Sequence, residues 1–180
     1  MAERDFTTQR WMYGSFYGVL ITLLILLHLV PLSVAPGRIP GPDLLICLTF
    51  AWVLRRPHYV PTFLVAVMFL MADMLFMRPI GLWAALVVLA VEFLRIREAN
   101  QREQTFLTEW AVVVGVLLAM TIVYRLILTV LFVQQVSLGL SLVQLIATAA
   151  CYPLVVLVAH LVLGVTKMTP NQAEAQGRQR

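Results

Sequence analysis

Asp43, Asp73, Arg125 and Gln144 are the polar side chains whose setting gives them chemical interest, because each lies inside or at the edge of a long apolar run. An ionisable group in hydrocarbon is costly unless it is paired or hydrated, so each one needs a reason to be there. Counted from the ends of their runs, Asp73 lies about 6 Å and Arg125 about 12 Å below the same boundary, at about 1.5 Å per helical residue. Asp43 follows Pro42 at the start of a short run, and Gln144 stands inside the last run. All four are expected in the same half of a membrane. The chemistry this predicts is electrostatic: a shared polar cluster in which Asp73 and Arg125 neutralise one another. Simpler readings keep the residues apart. Asp43 caps its helix at the positive dipole end, Asp73 reaches headgroups or pairs with Arg78, and Arg125 snorkels outward. Capping is the preferred role for Asp43, and the ion pair is preferred for Asp73 and Arg125. Either way these are structural or partner-contact candidates.

Signatures of catalysis are missing. The sequence has no Walker A loop, no GxSxG elbow, no HExxH and no carboxylate pair at metal-binding spacing, and it lacks the acidic motif of membrane phosphatidyltransferases. His28 and His160 stand alone on different runs, with no metal-site spacing around them. Cys47 and Cys151 fall within apolar runs, without a CxxC, and read as small buried hydrophobes. No enzyme activity, metal or cofactor is expected.

The elements that must position the polar residues are helices in lipid. Hydrophobic residues make up 61% of the 180 and charged ones 12%, more apolar surface than a soluble core of this size can hide. A span needs about 20 apolar residues. The pattern predicts an all-α polytopic membrane protein with helices near 15–34, 41–54, 59–77, 80–96, 107–133 and 138–165. These form one integral domain over 1–167, and a disordered polar tail follows over 168–180. The second run, Leu44–Leu54, is short, about 16 Å at helical rise. If it only dips into the membrane, five spans result and the N-terminus changes side. The first run is too long for a signal-peptide core and ends in Pro31, Pro36 and Pro40, without a small-residue cleavage site.

Charge sets the expected orientation. Arg4, Arg10, Arg55, Arg56, Arg95, Arg97, Arg102, Lys167, Arg178 and Arg180 share one side of a six-span layout, whereas Arg38 and Arg78 lie opposite. Cationic loops stay cytoplasmic, which places both termini inside. Trp11, Tyr13, Trp52, Tyr59 and Trp110 then form an aromatic belt at the cytoplasmic boundary. Because the cations flank apolar runs instead of forming a stripe, they read as topology signals and anionic-lipid contacts, not as a nucleic-acid surface. Glu92 is expected to pair near Arg95 and Arg56. Arg95–Trp110 is helix-compatible, with Glu98 and Arg102 four residues apart. Gly115 and Ala119 make a small-xxx-small pair, and Ala147–Ala150 adds small residues to the last helix; both permit close helix packing.

The run Ala72-Asp73-Met74-Leu75-Phe76-Met77-Arg78-Pro79-Ile80-Gly81-Leu82-Trp83, continuing to Glu92-Phe93-Leu94-Arg95, resembles the rod shape-determining MreD family, in its alphaproteobacterial form. Pro42-Asp43-Leu44, Trp52, Arg55-Arg56-Pro57, Phe106-Leu107, Glu109-Trp110, Arg125 and Tyr152-Pro153-Leu154 extend the similarity over nearly the whole chain. A departure is Met68 and its neighbours, where many relatives carry a glycine before the aspartate. The resemblance implies a multi-pass inner-membrane subunit of the elongasome, supporting lateral peptidoglycan synthesis and rod shape. It implies MreC as direct partner, with a class B penicillin-binding transpeptidase, RodA and MreB in the same assembly. It also implies a fold similar to the substrate-binding S components of energy-coupling-factor transporters. The competing expectation is a small-molecule or lipid binder of that transporter type, with the outer polar cluster as its pocket. A transferase or flippase component ranks third.

Overall fold

A computed structural model describes the backbone of residues 2–29, 41–55, 60–100 and 105–163, and the side chains of 12–29, 41–55, 60–98 and 105–159. The described residues are all-helical, with no strand: α1 (Ala2–Leu29), α2 (Leu44–Arg55), α3 (Thr62–Leu75), α4 (Leu82–Asn100), α5 (Phe106–Val130) and α6 (Leu138–Leu163). Met12–Leu29 of α1, all of α5, and Leu138–Ala159 of α6 are long and apolar enough to cross a membrane. α2 and α3 are apolar but shorter.

Residue pairs in contact fix the directions. Thr62 and Asp73 of α3 meet Glu92 and Ala84 of α4, so these two are antiparallel. Trp110 and Arg125 of α5 reach Ala149 and Ser141 of α6, again antiparallel. α1 and α3 are parallel, with Gly18 beside Met68 and His28 beside Phe76. The bundle therefore has an Arg78 end, with Asp43, the 76–81 turn and the 131–137 connection. Its other end, the Arg55 end, holds the starts of α3 and α5.

α2 is the centre. Every residue from Leu45 to Arg55 is buried, and the helix packs against α6, α4 and α1. Its sequence, LLICLTFAWVLR, has no polar face to offer solvent, and a helix apolar all round belongs inside. Thr49 is accommodated there because its hydroxyl bonds Leu45 O at 2.7 Å and the Tyr17 hydroxyl at 2.9 Å. Tyr17 also meets the Trp52 ring edge-on at 5.7 Å. Its length follows from its position. A helix of 12 residues rises only about 18 Å, but one shielded by neighbours need not match the hydrocarbon thickness. α5 and α6 instead expose Leu118, Ile122, Leu126, Leu142, Ile146 and Leu154.

Pro153 lies inside α6 without ending it. Its ring nitrogen cannot donate to Ala149 O, the acceptor four residues back. Trp110 of α5 supplies the missing donor, its Nε1–H reaching Ala149 O at 2.9 Å. One helix thus repairs its neighbour's broken ladder.

Element ends differ from the sequence expectation in ways that local chemistry explains. α1 begins at Ala2, well before residue 15, because an apolar window locates lipid-compatible residues and not the helix start; residues 30–34 and the tail lie outside the described residues. Gly41–Asp43 is not helical, and Asp43 precedes α2 as its cap. Pro61 holds α3's start to Thr62. α3 and α5 both stop in turns with a left-handed residue, Met77 (φ 52°) and Phe132 (φ 54°). In each turn the amide one residue further on bonds five back, Arg78 N to Asp73 O and Val133 N to Leu128 O, which closes a Schellman turn without its usual glycine. α4 runs on to Asn100 through the polar residues after Arg95.

Candidate functional site

The described charged side chains gather at the two ends of the bundle. At the Arg55 end, the last residue of α2 meets Glu109 in the first turn of α5, with Arg55 Nη1 3.1 Å from Glu109 Oε1. Arg55 Nη1 also donates to Ala51 O at 3.2 Å, and the Tyr152 hydroxyl of α6 donates to Glu109 Oε1 at 2.8 Å. Arg55, Glu109 and Tyr152 are 8%, 3% and 0% exposed, so this ion pair is almost wholly buried. A carboxylate at the start of α5 also suits the positive end of that helix dipole. The network ties α2, α5 and α6 together.

Beside it lies a cleft lined by Leu54, Leu94, Arg97, Glu98, Glu109 and Val112, with about 10 Å³ of space for water centres. That is about the volume one water requires, and far below a ligand pocket. A second network fastens α3 to α4. Arg95 Nη1 donates to Thr62 Oγ1 at 2.8 Å and lies 3.4 Å from Glu92 Oε1; Arg95 Nη2 donates to Val60 O, and Thr62 donates to Glu92. The expected Glu92–Arg95 pair is therefore present. Arg56 and Arg102 lie outside the described residues.

At the Arg78 end, Asp43 caps α2, accepting from Ile46 N at 3.3 Å, while its own amide donates to Thr148 Oγ1 of α6 at 3.0 Å. The Thr148 hydroxyl in turn bonds Gln144 O at 2.7 Å, and the Cys47 thiol donates to Thr148 O at 3.4 Å. Arg78 Nη1 lies 4.0 Å from Asp43 Oδ2, at the limit of an ion pair. Its guanidinium sits over two rings, 5.3 Å from the Phe76 centroid and 5.6 Å from that of Trp83. Trp83 meets Tyr124 edge-on at 5.0 Å, and Phe76 meets His28 at 4.7 Å. A ladder of rings with one cation in it thus braces α1, α3, α4 and α5.

The Asp73–Arg125 ion pair is not formed. Asp73 Oδ2 accepts from Gly81 N and Ala84 N, both at 3.1 Å, so this fully buried carboxylate serves the open amides at the start of α4. Arg125 donates to Val136 O at 3.0 Å and Ser141 Oγ at 2.7 Å, bracing the α5–α6 connection. The tight 76–81 turn brings Asp73 to those amides at a separation of only 8 to 11 residues, and the short-range cap wins. Asp73 Oδ1 and Trp83 Nε1 have no hydrogen-bond partner among the described residues.

Gln144 is half-buried on α6, one turn before Thr148. Gly115 and Ala119 lie on an exposed face of α5, and a Cβ at Gly115 would meet nothing within 4 Å. This small-residue pair is therefore not used for packing among the described residues. No group of three metal-ligating side chains occurs among the described residues. Sequence reasoning missed Glu109 and Tyr152 as partners of Arg55. The available signal was the one acid of a predominantly apolar 25-residue helix, placed in its first turn, which calls for a buried cation. Comparison with protein-family models, with curated proteins and with solved structures finds no match.

Proposed function

We propose that the chain is a non-enzymatic scaffold of the bacterial inner membrane, with six helices threaded through lipid and both termini cytoplasmic. Its partner is a bitopic MreC-like protein, bound by helix packing within an elongasome-type assembly that supports lateral wall synthesis. The single observation that carries this reading is the open small-residue face of α5: a Cβ added at Gly115 would meet nothing within 4 Å, and Ala119 is exposed one turn on. Small side chains let helix backbones approach closely in lipid, where helix association depends on packing. The charge split between the loops supports the orientation, and the resemblance of the Ala72–Trp83 run to the MreD family suggests the partner.

The internal use of the polar side chains also favours a scaffold over a small-molecule binder. Asp43 and Asp73 cap helices, and Arg55 and Glu109 neutralise each other. The unpartnered Asp73 Oδ1 and Trp83 Nε1 are what a binder reading would build on. Co-purification in detergent with and without the MreC-like protein, followed by native mass spectrometry, separates the two. A stoichiometric protein partner, weakened by Gly115→Leu, supports the scaffold. A tightly held small molecule with no protein partner overturns it. Reporter fusions after Arg97 give the orientation; exposure of that loop outside the cell reverses it.

A further inference from the structure

Arg125 has no counter-charge among the described residues. The chain's nine acids are Glu3, Asp5, Asp43, Asp73, Glu92, Glu98, Glu103, Glu109 and Glu174. Of the described acids, only Asp43 and Asp73 fall at the Arg78 end, where Arg125 lies. Asp43 faces Arg78 and Asp73 caps α4, so neither serves Arg125. No ion pair involving Arg125 occurs among the described residues, and its guanidinium is fixed through Nη1 alone, by Val136 O and Ser141 Oγ. A guanidinium has five N–H donors in a fork that matches phosphate, so most of its capacity is left for an anion.

The surroundings point to the kind of anion. Arg125 is five residues from the end of α5, about 7 to 8 Å along the axis, a depth from which its long side chain reaches the headgroups. Toward the helix centre, Ile122 (49%) and Leu118 (44%) are exposed apolar residues on the same side of α5, three and seven residues back, with Leu126 (59%) beside Arg125. A cation at the top of an apolar strip fits an amphiphile with a phosphate head and an acyl tail.

We infer that Arg125, held by Ser141 and Val136, binds the phosphate of a membrane lipid whose acyl chain lies along Leu118 and Ile122. The site rests on the membrane placement of α5 and not on any protein partner, so failure to co-purify a partner leaves it standing.

The test uses the full chain in neutral-detergent micelles, with native mass spectrometry counting retained lipid and thermal unfolding measuring its effect. The probes are phosphatidylglycerol, a diacylglycerol of the same chains, and inorganic phosphate. Wild type is expected to retain phosphatidylglycerol and to gain melting temperature from it, but not from diacylglycerol. Arg125→Gln should weaken retention about tenfold or more, the scale of one charge-assisted hydrogen bond, and Arg125→Lys should restore part of it. Competition by inorganic phosphate identifies the headgroup as sufficient, whereas its failure assigns the site to intact lipid. If Arg125→Gln does not fold, the wild-type comparison decides: equal retention of diacylglycerol and phosphatidylglycerol overturns the site. Unchanged phosphatidylglycerol binding by a folded Arg125→Gln does so as well.

Discussion

The two ends of α2 are held by different physics. At one, Arg55, Glu109 and Tyr152 make a closed network at 3.1 and 2.8 Å, nearly out of reach of solvent. At the other, Asp43 and Arg78 stand 4.0 Å apart with part of each side chain exposed, and the guanidinium leans on rings as much as on its carboxylate. The contrast shows where the central helix is committed. A buried pair cannot lose one member without stranding a charge, whereas a part-exposed pair can rehydrate. The Arg55 end is therefore the rigid anchor of α2, and the Arg78 end is the adjustable one, beside the face on which a lipid phosphate is placed.

The largest test of that contrast is Glu109→Leu. It leaves Arg55 buried without its partner and should lower unfolding stability in micelles by about 3–5 kcal/mol. Adding Arg55→Met should recover most of the loss; a double variant as unstable as the single would remove the ion pair as the cause.

Next in size is Trp110→Phe, which leaves the Ala149 carbonyl without a donor and should cost about 1–3 kcal/mol. Pro153→Ala restores an amide for that carbonyl, so Trp110→Phe should cost much less in that background. Thermal melts of the four proteins in the cycle give the coupling, and strict additivity would separate the indole from the proline.

At the Arg78 end, Asp73→Ala should cost about 1–2 kcal/mol through the lost cap of α4, and Asp73→Asn clearly less because an amide oxygen still accepts. Hydrogen exchange at Gly81 and Ala84 should rise in the alanine variant, and unchanged exchange there would deny the capping role. The smallest effect belongs to Arg78→Gln, about 1 kcal/mol or less, as expected of a part-exposed pair. A loss from Arg78→Gln as large as that from Glu109→Leu would erase the difference between the two ends.

The short apolar run at Leu44–Leu54 illustrates how much could be read before any coordinates. Its length looked inadequate for a span only because hydropathy treats every helix as if it faced lipid. Once α1, α4 and α6 surround it, 12 residues are enough to form a core. Asp43 was legible because a cap is a contact over three residues, set by Pro42-Asp43 and the helix that follows. Asp73 was legible as a residue needing a partner, but its partner was not, since that depends on how the 76–81 turn folds back.

By itself the sequence determined the helical class, the apolar segments, the uneven spread of arginines and the cap at Asp43. Each of these follows from local composition or from contacts within one turn. Tertiary structure decided that α2 lies at the centre, that Arg55 finds Glu109 across 54 positions, and that Trp110 repairs the ladder broken at Pro153. Those pairings depend on which helix faces meet, and that choice is made by the packing of whole helices against one another, not by any residue and its near neighbours.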